Sequence, residues 1–275
     1  MEYDTKLRRI YIRQSWLGDV LICPERARLG VLYPERRGAT DATILGTAVH
    51  SAIEHWLGSP KPDFSETVAA GVSDWRRLAN EPYRQSSGIN PDSVPRLIES
   101  MTLAFVEQIA PQVEVGGETE YKFAVPTGIV IDGWEVYLKG TMDYITPHGV
   151  IWDWKTAKRS YSQKDKQAHS VQASVYAWAG GLLGKVYDKD RVDFRFGVML
   201  RQEKPKGQVV QVIRTAEHRQ WLSDQIRSVV TMAHKLDVSQ PWLKNDQGNL
   251  CSAKWCDHWA SCKGAFIKDE PESDE

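Results

Sequence analysis

This sequence lacks most of the features that would disclose a role at once. Formal net charge is -1, so a nucleic-acid partner cannot be read from bulk charge and any basic surface must be local. No apolar run is long enough to cross a bilayer. The N-terminal MEYDTKLRRIYIRQ has no apolar segment of the signal-peptide kind, and a cytoplasmic protein is expected. There is no internal repeat, and no helix-turn-helix or zinc-finger module, so little base-specific readout is expected. Cysteine is scarce, with four in the chain. In a reducing compartment these are metal ligands rather than disulfides.

What is present supports a substantial core. The 275 residues are 41% hydrophobic, which excludes global disorder, and the eleven tryptophans read first as core. Ser15 reads as the cap of a helix beginning at Trp16, which restarts at Pro24. Residues 43 to 57, 64 to 79 and 92 to 109 carry helical periodicity, with a Pro/Ser/Gly-rich loop before the last. Alternation then predicts strands in EYKFAV, IVIDGWEVYLKGTMDYI and GVIWDWK. A helix over about 164–183, a hairpin of VDFRFGVMLRQ with QVVQVIR, and a helix over about 215–236 follow. The expectation is one α/β domain over 1–265. It comprises a mainly helical part (15–110), a sheet core with its helix (113–214), and a C-terminal helix with a cysteine segment (215–265). The acidic tail, 266–275, is expected to be disordered.

Chemistry concentrates in GVIWDWKTAKR. On a strand, Asp153 and Lys155 share one face with Ile151, while Val150, Trp152 and Trp154 share the other. One strand earlier, Lys139, Thr141 and Asp143 share a face. Pairing the two strands through the Pro147-His148-Gly149 turn brings Asp143 towards Asp153 and Lys155. Two adjacent carboxylates repel unless a positive charge sits between them, and Mg²⁺ or Mn²⁺ suits carboxylate oxygen. A neighbouring lysine can orient an attacking water or neutralise charge on a phosphate. The competing reading is a surface Asp/Lys pair worth under about 1 kcal/mol.

Two helical pairs bear on that choice. His50 and Glu54 lie one turn apart in GTAVHSAIEHWL, so His50 can add a ligand and Glu54 can orient it. Gln172 and Tyr176 lie four apart in QASVY, placed to hold a phosphate or a base. The alternative for each is ordinary helix-surface polarity.

Taken in order, His50 in GTAVH, Asp143 in GTMD, Asp153 and Lys155 in DWK, and Gln172 with Tyr176 in QASVY resemble the PD-(D/E)XK nuclease superfamily, in its RecB-type branch. The resemblance runs from about Ser15 to Cys262. It implies a restriction-endonuclease-like core, a central mixed sheet flanked by helices. It further implies that His50, Asp143, Asp153 and the backbone carbonyl of Trp154 hold Mg²⁺ or Mn²⁺ and that Lys155 assists the water. Gln172 and Tyr176 would organise the site and contact DNA. Glu120, in ETEYKF, stands where relatives often carry an acid. The second acid is Asp153 where many relatives have Glu, a variation that RecB-type members share.

Cys23 is far upstream; Cys251, Cys256 and Cys262 cluster in CSAKWCDHWASC. A metal joining all four would clip the first helix to the C-terminal segment. Four thiolates suit either a [4Fe–4S] cluster or Zn²⁺. The layout is similar to the iron–sulfur branch of RecB-type nucleases, including CRISPR-associated exonucleases, and that likeness favours the cluster. His258, inside the segment, is read as non-ligating.

Beyond Lys155, the residues Lys158, Arg159, Tyr161, Lys164 and Lys166 form a basic run with an aromatic, suited to a phosphate backbone and a stacked base. The competing reading is a solvated loop. The expected function is a divalent-metal-dependent DNA exonuclease acting on single strands or duplex ends in recombination, repair or processing. The alternative is a non-catalytic or weakly catalytic DNA-binding adaptor within a recombination or spacer-acquisition complex. Oligomeric state stays open.

Overall fold

The computed structural model describes residues 1–248 and 250–263. Its frame is a mixed sheet. β1 (Glu2–Asp4) and β2 (Arg9–Ile12) form an N-terminal hairpin, then come the helices α1 (Gln14–Ile22), α2 (Pro24–Leu32), α3 (Asp41–Gly58), α4 (Phe64–Ala79) and α5 (Val94–Ala104). β3 (Glu118–Ile131), β4 (Trp134–Ile145) and β5 (Ile151–Ala157) follow. Next are α6 (Gln163–His169), α7 (Val171–Leu182), β6 (Arg191–Leu200), β7 (Gly207–Thr215), α8 (Ala216–Leu236) and the five-residue α9 (Trp259–Lys263). The expected α/β architecture of a central mixed sheet flanked by helices is what the chain adopts.

The strand order is β1-β2-β4-β5-β6-β7, with β3 on the other edge of β4. β2 lies parallel to β4 along Glu135–Leu138, and β5 lies parallel to β6. β4 meets β5 only through Tyr144↔Trp152 and Ile145↔Ile151. One edge of β4 is therefore shared by β2 and β5 at different heights, and the strands part between them. Asp132 and Gly133 turn β3 into β4 with φ of 49° and 79°, the left-handed pair that a tight hairpin requires.

Alternation sorts the core into two layers. Ile10, Ile12, Val136, Leu138 and Ile151 pack under α1, α7 and α8. Trp152 and Trp154 point the other way, into the layer beneath α3 and α5. Their rings stack at 5.4 Å and both are essentially buried. Gly197, opposite Trp154 on β6, makes room for it: a Cβ there would sit 2.6 Å from the indole. Truncating a buried indole of this kind costs about 3–5 kcal/mol.

Several boundaries differ from the sequence pattern. The N-terminal hairpin was not anticipated; its strands are too short for alternation to stand out. The first helix begins at Gln14, and its N-cap is Arg13, with no side-chain cap bond, rather than Ser15. The stretch 92–109 is a 3₁₀ turn at Pro91–Ser93, then α5, then a π turn at Phe105–Ile109. The helix expected over 164–183 breaks at Ser170, whose hydroxyl caps α7. The acidic tail, 266–275, lies outside the described residues, as do the last two residues of the cysteine segment, 264–265.

Candidate active site

The split between β4 and β5 creates a pocket of unmet backbone groups, and side chains fill it. Trp154 N–H faces β4 where no β4 carbonyl answers it, and donates instead to Asp143 Oδ2 at 2.7 Å. Trp154 C=O accepts from His50 Nε2 at 2.8 Å, which ties α3 to β5. A carbonyl only accepts, so Nε2 carries the hydrogen. On the neutral ring Nδ1 is then a lone pair, and it lies 3.6 Å from Asp143 Oδ2.

Asp153 is 1% exposed. Its Oδ1 accepts from Gln172 Nε2 at 2.5 Å, and its Oδ2 is ion-paired with Lys155 Nζ. Tyr176, one turn further along α7, is edge-packed on Phe123. The break at Ser170 points this helix at the sheet. Buried Arg214 holds the break by donating to the carbonyls of Lys166, Gln167 and Ser170 and to Ser174 Oγ. Burial pushes its guanidinium down to about 10. Nothing in the sequence singled Arg214 out, since these partners lie 40–48 residues upstream.

The electrostatics show a site short of positive charge. Burial raises the Asp143 carboxyl well above its usual range, and the Asp153 charge raises it further. Burial, then the Lys155 charge, depresses His50 and keeps it neutral. Burial alone would lower Lys155, but Asp153 and Asp143 reverse the direction and hold it charged. Glu120 is raised by burial and by Glu54.

Glu120, on β3, joins the centre. His50, Glu120 and Asp143 each offer a ligand atom, and these atoms lie within 4.8 Å of one another. An imidazole lone pair among carboxylates that resist ionising fits a divalent cation. Glu54 is not placed as expected: it faces Glu120 electrostatically, and no hydrogen bond from it to His50 occurs among the described residues. The Trp154 carbonyl, an expected metal ligand, is engaged by His50 here.

The basic run divides. Lys158, Arg159 and Lys164 are exposed. Lys166 turns inward, with Nζ 4.1 Å above the Tyr161 ring and its pKa lowered by burial and by Lys155. Phe196 meets the same ring edge-on at 5.9 Å. Tyr161 is therefore partly packed, with its backbone bonded to Gln208.

The four cysteines converge. All line one cavity of about 240 Å³, together with buried His258, and none is disulfide-bonded. The convergence has a cause in α2. Glu25 and Arg28 form a buried pair; Glu25 accepts from Trp242 N–H and Arg28 donates to Val238 C=O. This fastens the chain after α8 beside Cys23, and Asn245 N–H then reaches Cys23 Sγ at 3.5 Å. The sulfurs are not packed at zinc spacing, since no three of them fall within 4.8 Å of one another. A zinc tetrahedron would set them about 3.8 Å apart, given Zn–S of about 2.3 Å.

Comparison with known proteins agrees with this fold. The family model described as the PD-(D/E)XK nuclease superfamily matches residues 14–263. A crystal structure from Eubacterium rectale, named "Putative exonuclease", is 13% identical, with 91% of this chain and 92% of that chain covered and a TM-score of 0.53. A second solved structure, SSO0001, is 14% identical over 81% of this chain and 97% of that chain; its TM-score is 0.37, too low to argue from. No curated protein matches the sequence.

Proposed function

The chain belongs to the PD-(D/E)XK nuclease superfamily, and from that premise we propose that it is a divalent-metal-dependent DNA exonuclease of the RecB type. Its four cysteines are proposed to carry a structural [4Fe–4S] cluster. The observation that carries the catalytic part is the convergence of His50, Glu120 and Asp143 within 4.8 Å, beside an ion-paired Asp153 and Lys155. The name of the Eubacterium rectale structure is the reason for preferring exonuclease to endonuclease.

In this reading His50, Asp143, Glu120 and Asp153 would hold Mg²⁺ or Mn²⁺. When bound, the ion would act as a Lewis acid towards a phosphodiester. Lys155, kept charged by the two aspartates, orients the attacking water and offsets charge on the phosphate. Gln172 fixes the Asp153 carboxylate, and Tyr176 lies one turn further along the same helix face. Lys158, Arg159 and Lys164 contact the phosphate backbone. The cluster is preferred to zinc on the likeness of the one-plus-three cysteine layout to the iron–sulfur branch of RecB-type nucleases, and the four thiols share one cavity. The chain over 1–265 is taken as one nuclease domain, working in DNA recombination, repair or processing.

The test uses single-stranded DNA labelled at either end, with Mn²⁺, Mg²⁺ or EDTA. Metal-dependent shortening from one end is expected. Binding without cleavage across several divalent ions would favour the adaptor instead. For the cluster, anaerobically purified protein should contain iron and show broad visible absorbance; stoichiometric zinc without iron would overturn it.

A further inference from the structure

The helices α3 and α5 cover one face of the sheet at β5 and β6, and α3 reaches β3 and the Asp143 end of β4, while on β2 and the first half of β4 the side chains of that face stay partly exposed. On that open half, alternation sets Arg9, Tyr11 and Arg13 at the β2 side and Tyr137, Lys139 and Thr141 along β4. The opposite face of the same strands carries the buried Ile10, Ile12, Val136 and Leu138. The β4 row continues in step to Asp143. From Tyr137 to Asp143 is six residues, about 20 Å of strand.

These side chains form an aromatic and cationic surface. Tyr11 and Tyr137 sit side by side in register, with ring centroids 5.3 Å apart. Arg9 lies over the Tyr137 ring at 4.7 Å and Lys139 over the Tyr11 ring at 5.7 Å. All four are partly exposed, and Arg13 is exposed. Glu2, beside Tyr11 on β1, pairs with Arg13 at 3.5 Å and with Lys139 at 2.8 Å. Glu135 pairs with Arg9 at 3.8 Å.

We infer that this open half of the sheet is a track for a single DNA strand leading to Asp143. Bases lie on the tyrosines, and phosphates replace Glu2 and Glu135 as partners of Arg9, Arg13 and Lys139. Stacking on aromatics within a cationic groove is how proteins hold single strands without reading sequence. The inference rests on the proposed nuclease function and extends it by naming the surface that delivers substrate.

The experiment measures anisotropy of a fluorescein-labelled oligo-dT of about 12 nucleotides, within the span of one such surface, on the full chain in EDTA. Tyr11→Ala combined with Tyr137→Ala should raise Kd about tenfold, as expected for lost stacking. Because the paired tyrosines also support each other, Lys139→Ala provides an independent surface variant. It should raise Kd about threefold and reduce the slope of log Kd against log salt by about 0.7, one phosphate contact on a single strand. Glu2→Gln should tighten binding about twofold, a gain that a merely structural role would not produce. Unchanged Kd in the tyrosine and Lys139 variants, or weaker binding by Glu2→Gln, overturns the track. So does a change confined to the sedimentation behaviour of these variants, which would assign the face to a second copy of the chain. Hydrolysis of a small phosphodiester by the wild type reports on the nuclease centre separately: its presence without strand binding sinks the track alone, and its absence with variant-sensitive binding sinks the nuclease reading alone.

Discussion

Asp41 and Asp143 are both carboxylates drawn out of water, and the molecule treats them in opposite ways. Asp41, at the start of α3, is fully buried. It accepts from the backbone N–H groups of Ala42, Ser86, Ser87 and Ile89 and from the Ser86 hydroxyl. Burial would raise its pKa, but the surrounding N–H groups reverse that and lower it. Asp143 accepts from one N–H, of Trp154, and faces Asp153; burial and that second charge raise it. The same side chain is thus a finished structural joint in one place and an unfinished coordination shell in the other. The difference is the supply of N–H donors. A loop of consecutive donors closes around Asp41, whereas the parted strands at Asp143 offer one.

The largest effect should come from the unfinished site. Lys155→Ala should lower cleavage by about 10²–10⁴-fold, the usual worth of a positioned proton-transfer or charge-stabilising group. Its circular dichroism and iron content should match the wild type. Full activity in that variant, with contaminating nuclease excluded, would sink the assigned role. The finished site should respond through stability instead. Asp41→Ala strands several buried N–H groups and should cost about 3 kcal/mol in urea unfolding, with the loop at 82–90 detached first. An unaltered midpoint would show that water substitutes for the carboxylate.

The next comparison is in pH. For Asp41 the folded pKa is lowered, so its contribution is present above the unfolded value near 4 and is lost as pH falls through the folded value. For Asp143 the folded pKa is raised. Its contribution is present below about pH 4 and disappears as pH rises through the folded value. Asp143→Asn removes the second dependence. Without metal, that variant should gain stability over the wild type as pH rises from about 4 to about 8. Saturating Mn²⁺ should shrink the gain, because only the wild type is stabilised by tight binding. Urea unfolding at both pH values, with and without the ion, provides the measurement; a gain that does not change with pH would show that Asp143 titrates normally.

The two sites also differ in how far the sequence discloses them. Asp153, Lys155 and their tryptophan backing are visible because strand alternation is a local rule that survives folding. Asp143 follows from a hairpin read one strand earlier, and His50 from its place on a long helix. Asp41 leaves no such trace, because all its donors but Ala42 lie 45–48 residues away in a loop without periodicity. Arg214 is hidden for the same reason. The N-terminal hairpin is hidden because RIYIR is a short alternation flanked by charge. Its pairing with β4 joins residues more than a hundred positions apart. The surroundings of Tyr161 are hidden for a different reason. An aromatic in a basic run has the pattern of a base platform, but the Phe196 and Lys166 side chains that cover it come from a later strand and the following helix.

The smallest effects separate donors that are redundant from donors that are not. Ser86→Ala deletes one hydroxyl at Asp41 and leaves all four backbone N–H groups in place. The carboxylate stays satisfied, so the loss should be no more than about 1 kcal/mol, with no change in activity. Gln172→Ala removes the hydrogen-bonding side chain at Asp153 Oδ1 and leaves its carboxylate to Lys155. Global stability should change as little as in Ser86→Ala. The freed carboxylate should instead bind Mn²⁺ about tenfold less tightly, the low end of what a lost supporting hydrogen bond costs a metal site. Calorimetric Mn²⁺ titration of both variants decides the matter. Equal Mn²⁺ affinities in Ser86→Ala and Gln172→Ala would mean that Asp153 is held by Lys155 alone, and that the two carboxylates differ in charge environment but not in how firmly they are positioned.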